Sequence, residues 1–146
     1  MKSNIILLIE DDELDIISVE RSLNRLDTQF ELYTAFNGIE ALSLLRGEGG
    51  IPPVYPDIVL LDLNMPKMNG IEFLKIIRND PSLKDLKVFV MTTSGDVSDR
   101  EATSKLGVLG YLIKPLNFTD NRKNPNSMDA FVQFHLGRIL NNNLII

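Results

Sequence analysis

Three acidic residues, a hydroxyl and an ammonium group have the types and spacing to act in one site. Glu10 and Asp11 follow an apolar run near the N-terminus, and Asp62 ends a second apolar run. Thr92 and Lys114 each follow a later apolar segment. A carboxylate can act as a nucleophile towards phosphorus, and a hydroxyl and an ammonium group can bind the phosphate that forms. These residue types therefore predict phosphoryl chemistry if the fold brings them together.

The three carboxylates also predict a metal site. Two unit charges about 4 Å apart repel by roughly 4 kcal/mol at an effective dielectric constant of about 20, and a divalent cation removes that repulsion. The chain has no cysteine, and its single histidine, His135, lies far along the sequence from the acidic residues. Hard oxygen ligands select Mg²⁺, Mn²⁺ or Ca²⁺ over zinc or copper. A small ligand set with room for water and phosphate suits Mg²⁺ best.

Five strands that alternate with helices are predicted to position these groups. Short apolar runs indicate buried strands, and apolar residues three and four apart indicate amphipathic helices. The predicted strands are 4–9, 30–34, 58–61, 86–91 and 108–113, and the predicted helices are 12–26, 39–47, 70–80, 97–106 and 128–140. This alternation predicts an α/β fold with a doubly wound, five-stranded parallel sheet and five flanking helices. Parallel strands end at one edge, where open α/β sheets bind ligands.

The helix patterns also predict which side chains enter the core. The residues expected to face inward are Ile16, Val19, Leu23 and Leu26 in the first helix, Ile39, Leu42 and Leu45 in the second, and Ile71, Leu74 and Ile77 in the third. The fourth helix has a thin apolar face, so we expect it to be the most loosely held.

Length, composition and charge limit the class of protein. The chain has 146 residues, of which 44% are hydrophobic and 24% charged, and this suits a single domain over 1–146 with no output domain. Its net charge of -5 argues against nucleic acid or an anionic membrane as a partner. Acidic residues 10–13 interrupt the N-terminal apolar run, so it does not fit a secretory signal. We therefore expect a cytoplasmic protein.

Taken together, these motifs resemble the response-regulator receiver domain, the phosphoacceptor module of two-component signalling. The motifs that carry the resemblance are Glu10-Asp11, Leu61-Asp62-Leu63-Asn64-Met65-Pro66 with Gly70 beyond it, Thr92, and Lys114-Pro115, and they span nearly the whole chain. The resemblance implies a CheY-like, flavodoxin-like fold with strand order 2-1-3-4-5. It implies a signalling protein that catalyses only its own phosphorylation and dephosphorylation.

The resemblance also implies a phosphorylation centre. Asp62 would accept a phosphoryl group from a sensor histidine kinase or a phosphotransfer protein. Mg²⁺ would be bound by Asp11, Asp62 and the backbone carbonyl of Asn64. Glu10, which stands where the family more often has Asp, would act mainly through water.

A switch is implied at the ends of the last two strands. Thr92 would be the switch hydroxyl, although Thr93 follows it, and Lys114 would bind the phosphate. Tyr111 would be the aromatic residue that changes rotamer on activation. The face formed by helix four, strand five and helix five would then shift, and that face would bind a downstream protein target or a second copy of the chain.

Two loops are longer than those of minimal receivers. The loop at 47–56 resembles the insertion of single-domain regulators that are paired with bacterial phytochromes. The segment at 117–127 has no role that the sequence assigns.

Three other functions share parts of this pattern. A haloacid-dehalogenase-type phosphatase uses Asp, Mg²⁺, Thr and Lys, but it needs an acid two residues after its nucleophile, where this chain has Asn64. A flavodoxin-like flavin module needs a hydroxyl- and glycine-rich phosphate loop after strand one, where this chain has acidic residues. A docking module that takes no phosphate is disfavoured because every expected site residue is present.

Overall fold

The computed structural model describes residues 4–24, 29–65, 67–92 and 97–113. The strands are β1 (Asn4–Ile9), β2 (Phe30–Ala35), β3 (Ile58–Asp62), β4 (Val88–Thr92) and β5 (Gly110–Ile113). The helices are α1 (Glu13–Leu23), α2 (Gly38–Arg46), α3 (Gly70–Arg78) and α4 (Val97–Lys105), and a 3-10 turn, Glu48–Gly50, follows α2. Several predictions lie outside the described residues: those for Leu26, Thr93, Lys114, the loop at 117–127 and the helix at 128–140.

All five strands are parallel and form one sheet in the order β2-β1-β3-β4-β5. The predicted fold class and strand order are therefore confirmed. At the carboxyl edge, Ile9 pairs with Leu61 on the neighbouring strand, and Asp62 pairs with Met91. Thr92 in turn pairs with Ile113. The register therefore places the ends of β1, β3 and β4 side by side.

Side chains that alternate along the strands divide the core into two layers. One layer packs the sheet against α2 and α3 and includes Leu7, Ile9, Val59, Leu61, Val90, Leu42, Leu45, Phe73, Leu74 and Ile77. The other packs the opposite face against α1 and includes Ile6, Leu8, Ile58, Leu60, Met91, Val19 and Leu23. The central strands are buried on both faces, as continuous apolar runs in a parallel sheet require.

The predicted inward position of Ile39 is wrong, because its side chain is 49% exposed. The buried side chains of α2 are those of Ala41, Leu42 and Leu45, and Gly38 is buried on the same stripe. At about 100° per residue, Ile39 lies roughly 110° from the centre of that stripe. Ile71 lies at the same angle from the buried stripe of α3, which is formed by Phe73, Leu74 and Ile77. Its side chain, also predicted to face inward, is half-buried against the core.

Several predicted element bounds also shift by one or two residues. β2 continues to Ala35 and β3 to Asp62, while β4 begins at Val88 and β5 at Gly110. The first and last residues of an element depend on neighbouring strands that periodicity does not reveal. The predicted end of α2 is confirmed, because Gly47 adopts a left-handed conformation with φ of 69° directly after it.

No helix within the described ranges is long and apolar enough to cross a membrane.

Candidate functional site

Three carboxylates meet at the carboxyl edge of the sheet. Glu10 follows β1 directly, Asp11 comes next, and Asp62 is the last residue of β3. One oxygen from each of the three carboxylates lies within 4.8 Å of the others. Glu10 and Asp62 are buried, at 0% and 2% exposure, whereas Asp11 is exposed. The fold thus brings together the acidic residues that the sequence predicts as metal ligands.

Backbone amides orient two of these carboxylates. The N–H of Asn64 donates to Asp62 Oδ1 at 3.1 Å, and the N–H of Asp12 donates to Glu10 Oε1 at 3.1 Å. Both bonds span two residues, so each carboxylate is held by the loop that follows its own strand. The structure places Asn64 in the loop beside Asp62, and its carbonyl stays a predicted ligand.

Asp12 caps a helix, unlike its neighbours Glu10 and Asp11. Its Oδ1 accepts hydrogen bonds from the N–H groups of Leu14 at 2.8 Å and Asp15 at 3.3 Å, and it is the N-cap of α1. A carboxylate at this position also complements the positive end of the helix dipole. Within the acidic run, Glu10 and Asp11 therefore belong to the carboxylate cluster, whereas Asp12 caps α1.

The loop between β3 and α3 is fixed by a capping box. Asn69 Oδ1 accepts from the N–H of Glu72 at 2.9 Å, and Glu72 Oε1 accepts from the N–H of Asn69 at 3.3 Å. The N–H of Gly70 donates to the carbonyl of Leu63 at 3.0 Å, which closes the loop onto the end of β3. These bonds hold the backbone that carries Asp62 and Asn64.

A pocket of about 500 Å³ opens beside the acidic cluster. Its lining includes Asp11, Asn64, Asn69 and, from α4, Asp99. Asp11 is the member of the acidic cluster that lines this pocket.

Thr92 and Tyr111 lie on the α4 side of the sheet. Tyr111 pairs with Val90, which belongs to the α2–α3 core layer, and Thr92 is two residues beyond Val90 on β4. Since side chains two apart on a strand share a face, Thr92 and Tyr111 point to the same side on neighbouring strands. Thr92 is 2% exposed. The structure therefore places the two predicted switch residues on one face of neighbouring strands, while Lys114 is outside the described residues.

Sequence reasoning missed the partners of Tyr111 on α4. The phenol oxygen lies 2.7 Å from Thr103 Oγ1 and 3.1 Å from Ser104 Oγ. The available signal was a hydroxyl pair, Thr103-Ser104, in a helix with few apolar residues, but only the fold shows that β5 approaches it.

The fold and the acidic edge together define a response-regulator receiver domain. The chain belongs to this family: the family model "Response regulator receiver domain" matches residues 6–124. Its members act in two-component signalling, in which receiver domains interact with histidine kinases and downstream targets.

Phytochrome-associated regulators are among its similar proteins. Response regulator Rcp1 of Synechocystis sp. is 35% identical over 128 residues, which cover 87% of this chain and 87% of that protein. The crystal structure of the Mn²⁺-bound form of Rcp1 has a TM-score of 0.79 at 34% identity, and covers 90% of this chain and 93% of that chain. The phosphorylated cyanobacterial phytochrome response regulator RcpA has a TM-score of 0.74 at 37% identity, and covers 80% of this chain and 84% of that chain.

Proposed function

We propose that this receiver domain takes a phosphoryl group on Asp62 from a histidine kinase or a phosphotransfer protein, in a Mg²⁺-dependent reaction. The observation that carries the proposal is the convergence of Glu10, Asp11 and Asp62 at the strand edge of a receiver fold. The proposal extends to a cytoplasmic protein with a downstream protein target. The similarity to phytochrome response regulators supports a phytochrome-type kinase as the donor.

The donor set fits Mg²⁺. Asp11, Asp62 and the carbonyl of Asn64 would bind the ion directly, with Glu10 acting through water. These are hard oxygen ligands, and the adjoining pocket leaves room for water and phosphate. The Mn²⁺ in the structure of Rcp1 supports a divalent cation here. Bound Mg²⁺ would neutralise the charge on the transferring phosphoryl oxygens.

The chemical step needs one nucleophile. A carboxylate oxygen of Asp62 bonds to phosphorus as the bond from phosphorus to the donor nitrogen breaks, and the donor imidazole keeps that electron pair. The backbone amide of Asn64, which donates to Oδ1, orients the Asp62 carboxylate at the end of β3 during attack. The product is an acyl phosphate with a charge of about -1.5 to -2.

Thr92 and Lys114 would respond to that new charge. The Thr92 hydroxyl at the end of β4 donates to a phosphoryl oxygen, and the Lys114 ammonium forms an ion pair with another. Movement of Thr92 leaves space on the α4 side of the sheet, and Tyr111 turns to fill it. The face of α4 and β5 then changes between two arrangements and alters the affinity for a partner. A homodimer through this face is part of the proposal, and light scattering with and without phosphate tests it.

Phosphorylation by a small acyl phosphate tests the proposal. Wild type, Asp62→Asn and Asp85→Asn are treated with and without Mg²⁺, and intact mass is measured. Asp85 is an exposed carboxylate in the loop before β4, so it is the matched control. We expect one phosphoryl group on wild type and on Asp85→Asn, only with Mg²⁺, and none on Asp62→Asn.

Other outcomes would redirect the assignment. Wild type that binds Mg²⁺ but gains no phosphate would indicate a docking module instead. Steady hydrolysis of free phosphate monoesters would indicate a phosphatase.

A further inference from the structure

The hydroxyl of Tyr111 is bonded to three groups on α4. It lies 2.8 Å from the carbonyl oxygen of Arg100, which can accept its proton, 2.7 Å from Thr103 Oγ1 and 3.1 Å from Ser104 Oγ. The guanidinium carbon of Arg100 also lies 5.4 Å from the centre of the Tyr111 ring, within cation–π range. One side chain of β5 thus meets both the backbone and the side chains of α4.

The protons of these hydroxyls can be distributed in two ways. If Tyr111 donates to the Arg100 carbonyl, Thr103 must donate to Tyr111, because two oxygen atoms 2.7 Å apart need a proton between them. If Tyr111 instead donates to Thr103, the Thr103 proton goes to the carbonyl of Asp99 at 2.7 Å. In either arrangement, the Tyr111 hydroxyl forms its hydrogen bonds with groups of α4.

The described side chains of α4 contribute little other contact with the sheet. Among the side chains described for this helix, residues 99–105, Thr103 is the one that is buried, at 0% exposure. A buried hydroxyl in place of an apolar residue makes the contact between α4 and β5 depend on hydrogen bonds. Those bonds require one orientation of the tyrosine, whereas apolar contacts tolerate several.

The contacts hold the phenol away from the phosphorylation edge. Helix α4 begins near the carboxyl edge of the sheet and runs away from it towards the start of β5. Thr103 and Ser104 lie in its last turn, whereas Arg100 lies at the end of its first turn. Thr92 lies at the edge itself, at the end of β4. A tyrosine that turns towards the space behind Thr92 must break its bonds to α4.

We infer that Thr103 is a positioning residue that holds Tyr111 in the arrangement the protein adopts before phosphorylation. This inference rests on the proposed function of Tyr111 as the switch aromatic. The Thr103 hydroxyl stabilises one of two states, so it shifts the population away from the phosphorylated arrangement. Its removal therefore favours binding of a phosphoryl group at Asp62, which lies on a different strand.

The test is a double-mutant cycle between Thr103→Val and Tyr111→Phe. Valine keeps the shape of threonine and removes the hydroxyl. The measured quantity is the affinity for beryllium trifluoride with Mg²⁺, which mimics a phosphoryl group on a carboxylate. We expect Thr103→Val to tighten binding about fivefold in the wild-type background, the effect of one net hydrogen bond. In the Tyr111→Phe background it should change binding less than about twofold, because the bond is already absent.

A second readout follows Tyr111 directly, without any phosphoryl analogue. The ring resonance of ¹³C-labelled Tyr111, assigned by its loss in Tyr111→Phe, should shift in Thr103→Val. Ser22→Ala, which removes a buried hydroxyl from α1 on the other face of the sheet, should leave both the resonance and the affinity unchanged.

The outcomes separate this inference from the proposed function. An unchanged Tyr111 resonance in Thr103→Val would overturn the inference, as would an equal change of affinity in both backgrounds. Wild type that binds Mg²⁺ but not the analogue would contradict the proposed function, and the inferred role in switching would fall with it. The resonance would still show in that case whether Thr103 holds Tyr111.

Discussion

A Cβ atom on Gly70 would lie 2.7 Å from the carbonyl oxygen of Asp62. Gly70 is the first residue of α3, and the same Cβ atom would lie 2.8 Å from the Cα atom of Leu63. Since the close contacts are largely backbone, a side chain here would displace the backbone of Asp62 and Leu63 at the end of β3. Glycine at position 70 thus allows the start of α3 to pack closely against the backbone of Asp62.

Substitution of Gly70 by alanine should therefore destabilise the fold. We expect Gly70→Ala to lower the free energy of unfolding by about 1–3 kcal/mol, measured by urea denaturation. Gly38→Ala is a matched control, because Gly38 is also the first residue of a helix capped by asparagine. Its nearest contacts are side-chain atoms of Met68, which can move, so it should be nearly neutral. Equal losses in the two variants would contradict this reading of Gly70.

Arg78 connects the end of α3 to the two loops that precede β4 and β5. Its Nε donates to the carbonyl of Leu106 at 2.6 Å, and its Nη1 donates to the carbonyls of Lys84 and Leu86 at 2.8 Å each. Burial lowers the pKa of Arg78 from its ordinary value, and the nearby Asp85 acts in the opposite direction. An arginine stays protonated at neutral pH in spite of this shift, so its hydrogen bonds persist there.

Loss of this guanidinium should leave several carbonyl groups without a donor. We expect Arg78→Met to lower the free energy of unfolding by about 2 kcal/mol or more, with little dependence on pH near neutrality. Lys75→Met on the exposed side of the same helix should stay within about 0.5 kcal/mol. Thermal or urea unfolding measures both, and a similar stability for the two variants would show that Arg78 has no such role.

Mg²⁺ should stabilise the folded protein through the carboxylate cluster. We expect the melting temperature of wild type to rise with Mg²⁺ concentration, because a ligand that binds only the native state stabilises it. Asp11→Asn should weaken this rise strongly. Asp12→Asn should preserve it, since Asp12 caps α1 instead of joining the cluster. If both variants respond to Mg²⁺ as wild type does, the proposed ligand set is incorrect.

Thr92 should contribute to the reaction through its hydroxyl. A hydrogen bond to a charged group contributes about 1.5–3 kcal/mol, so Thr92→Val should slow phosphorylation by acyl phosphate by about tenfold or more. Thr93→Val is the control for the adjacent hydroxyl and should react at close to the wild-type rate. The reverse order of the two rates would move the assignment from Thr92 to Thr93.

Much of the fold and of the acidic edge could be predicted because both depend on local patterns. Continuous apolar runs located the strands, and the bounds of β1 were predicted correctly at both ends. In a parallel sheet the residues after each strand share an edge, so Glu10, Asp11 and Asp62 could be expected together before any geometry was known.

The remaining features depend on contacts between residues far apart in sequence. Arg78 donates to a carbonyl 28 residues away, and no periodicity indicates that pairing. The contact of Tyr111 with Thr103 depends on how a polar helix packs on an edge strand. Ile39 was predicted to face inward because it is apolar and lies three residues before Leu42. That spacing was not enough, because the buried stripe is formed by Ala41, Leu42 and Leu45.

The most direct measurement is to locate the phosphoryl group on the chain. After reaction with acyl phosphate and Mg²⁺, sodium borohydride reduces an acyl phosphate to an alcohol, and peptide mass spectrometry identifies the reduced residue. The account predicts reduction of Asp62 to homoserine, in a Mg²⁺-dependent manner, with every other carboxylate unchanged. Reduction at Asp11 or Glu10, or no reduced residue on a fully folded protein, would contradict it.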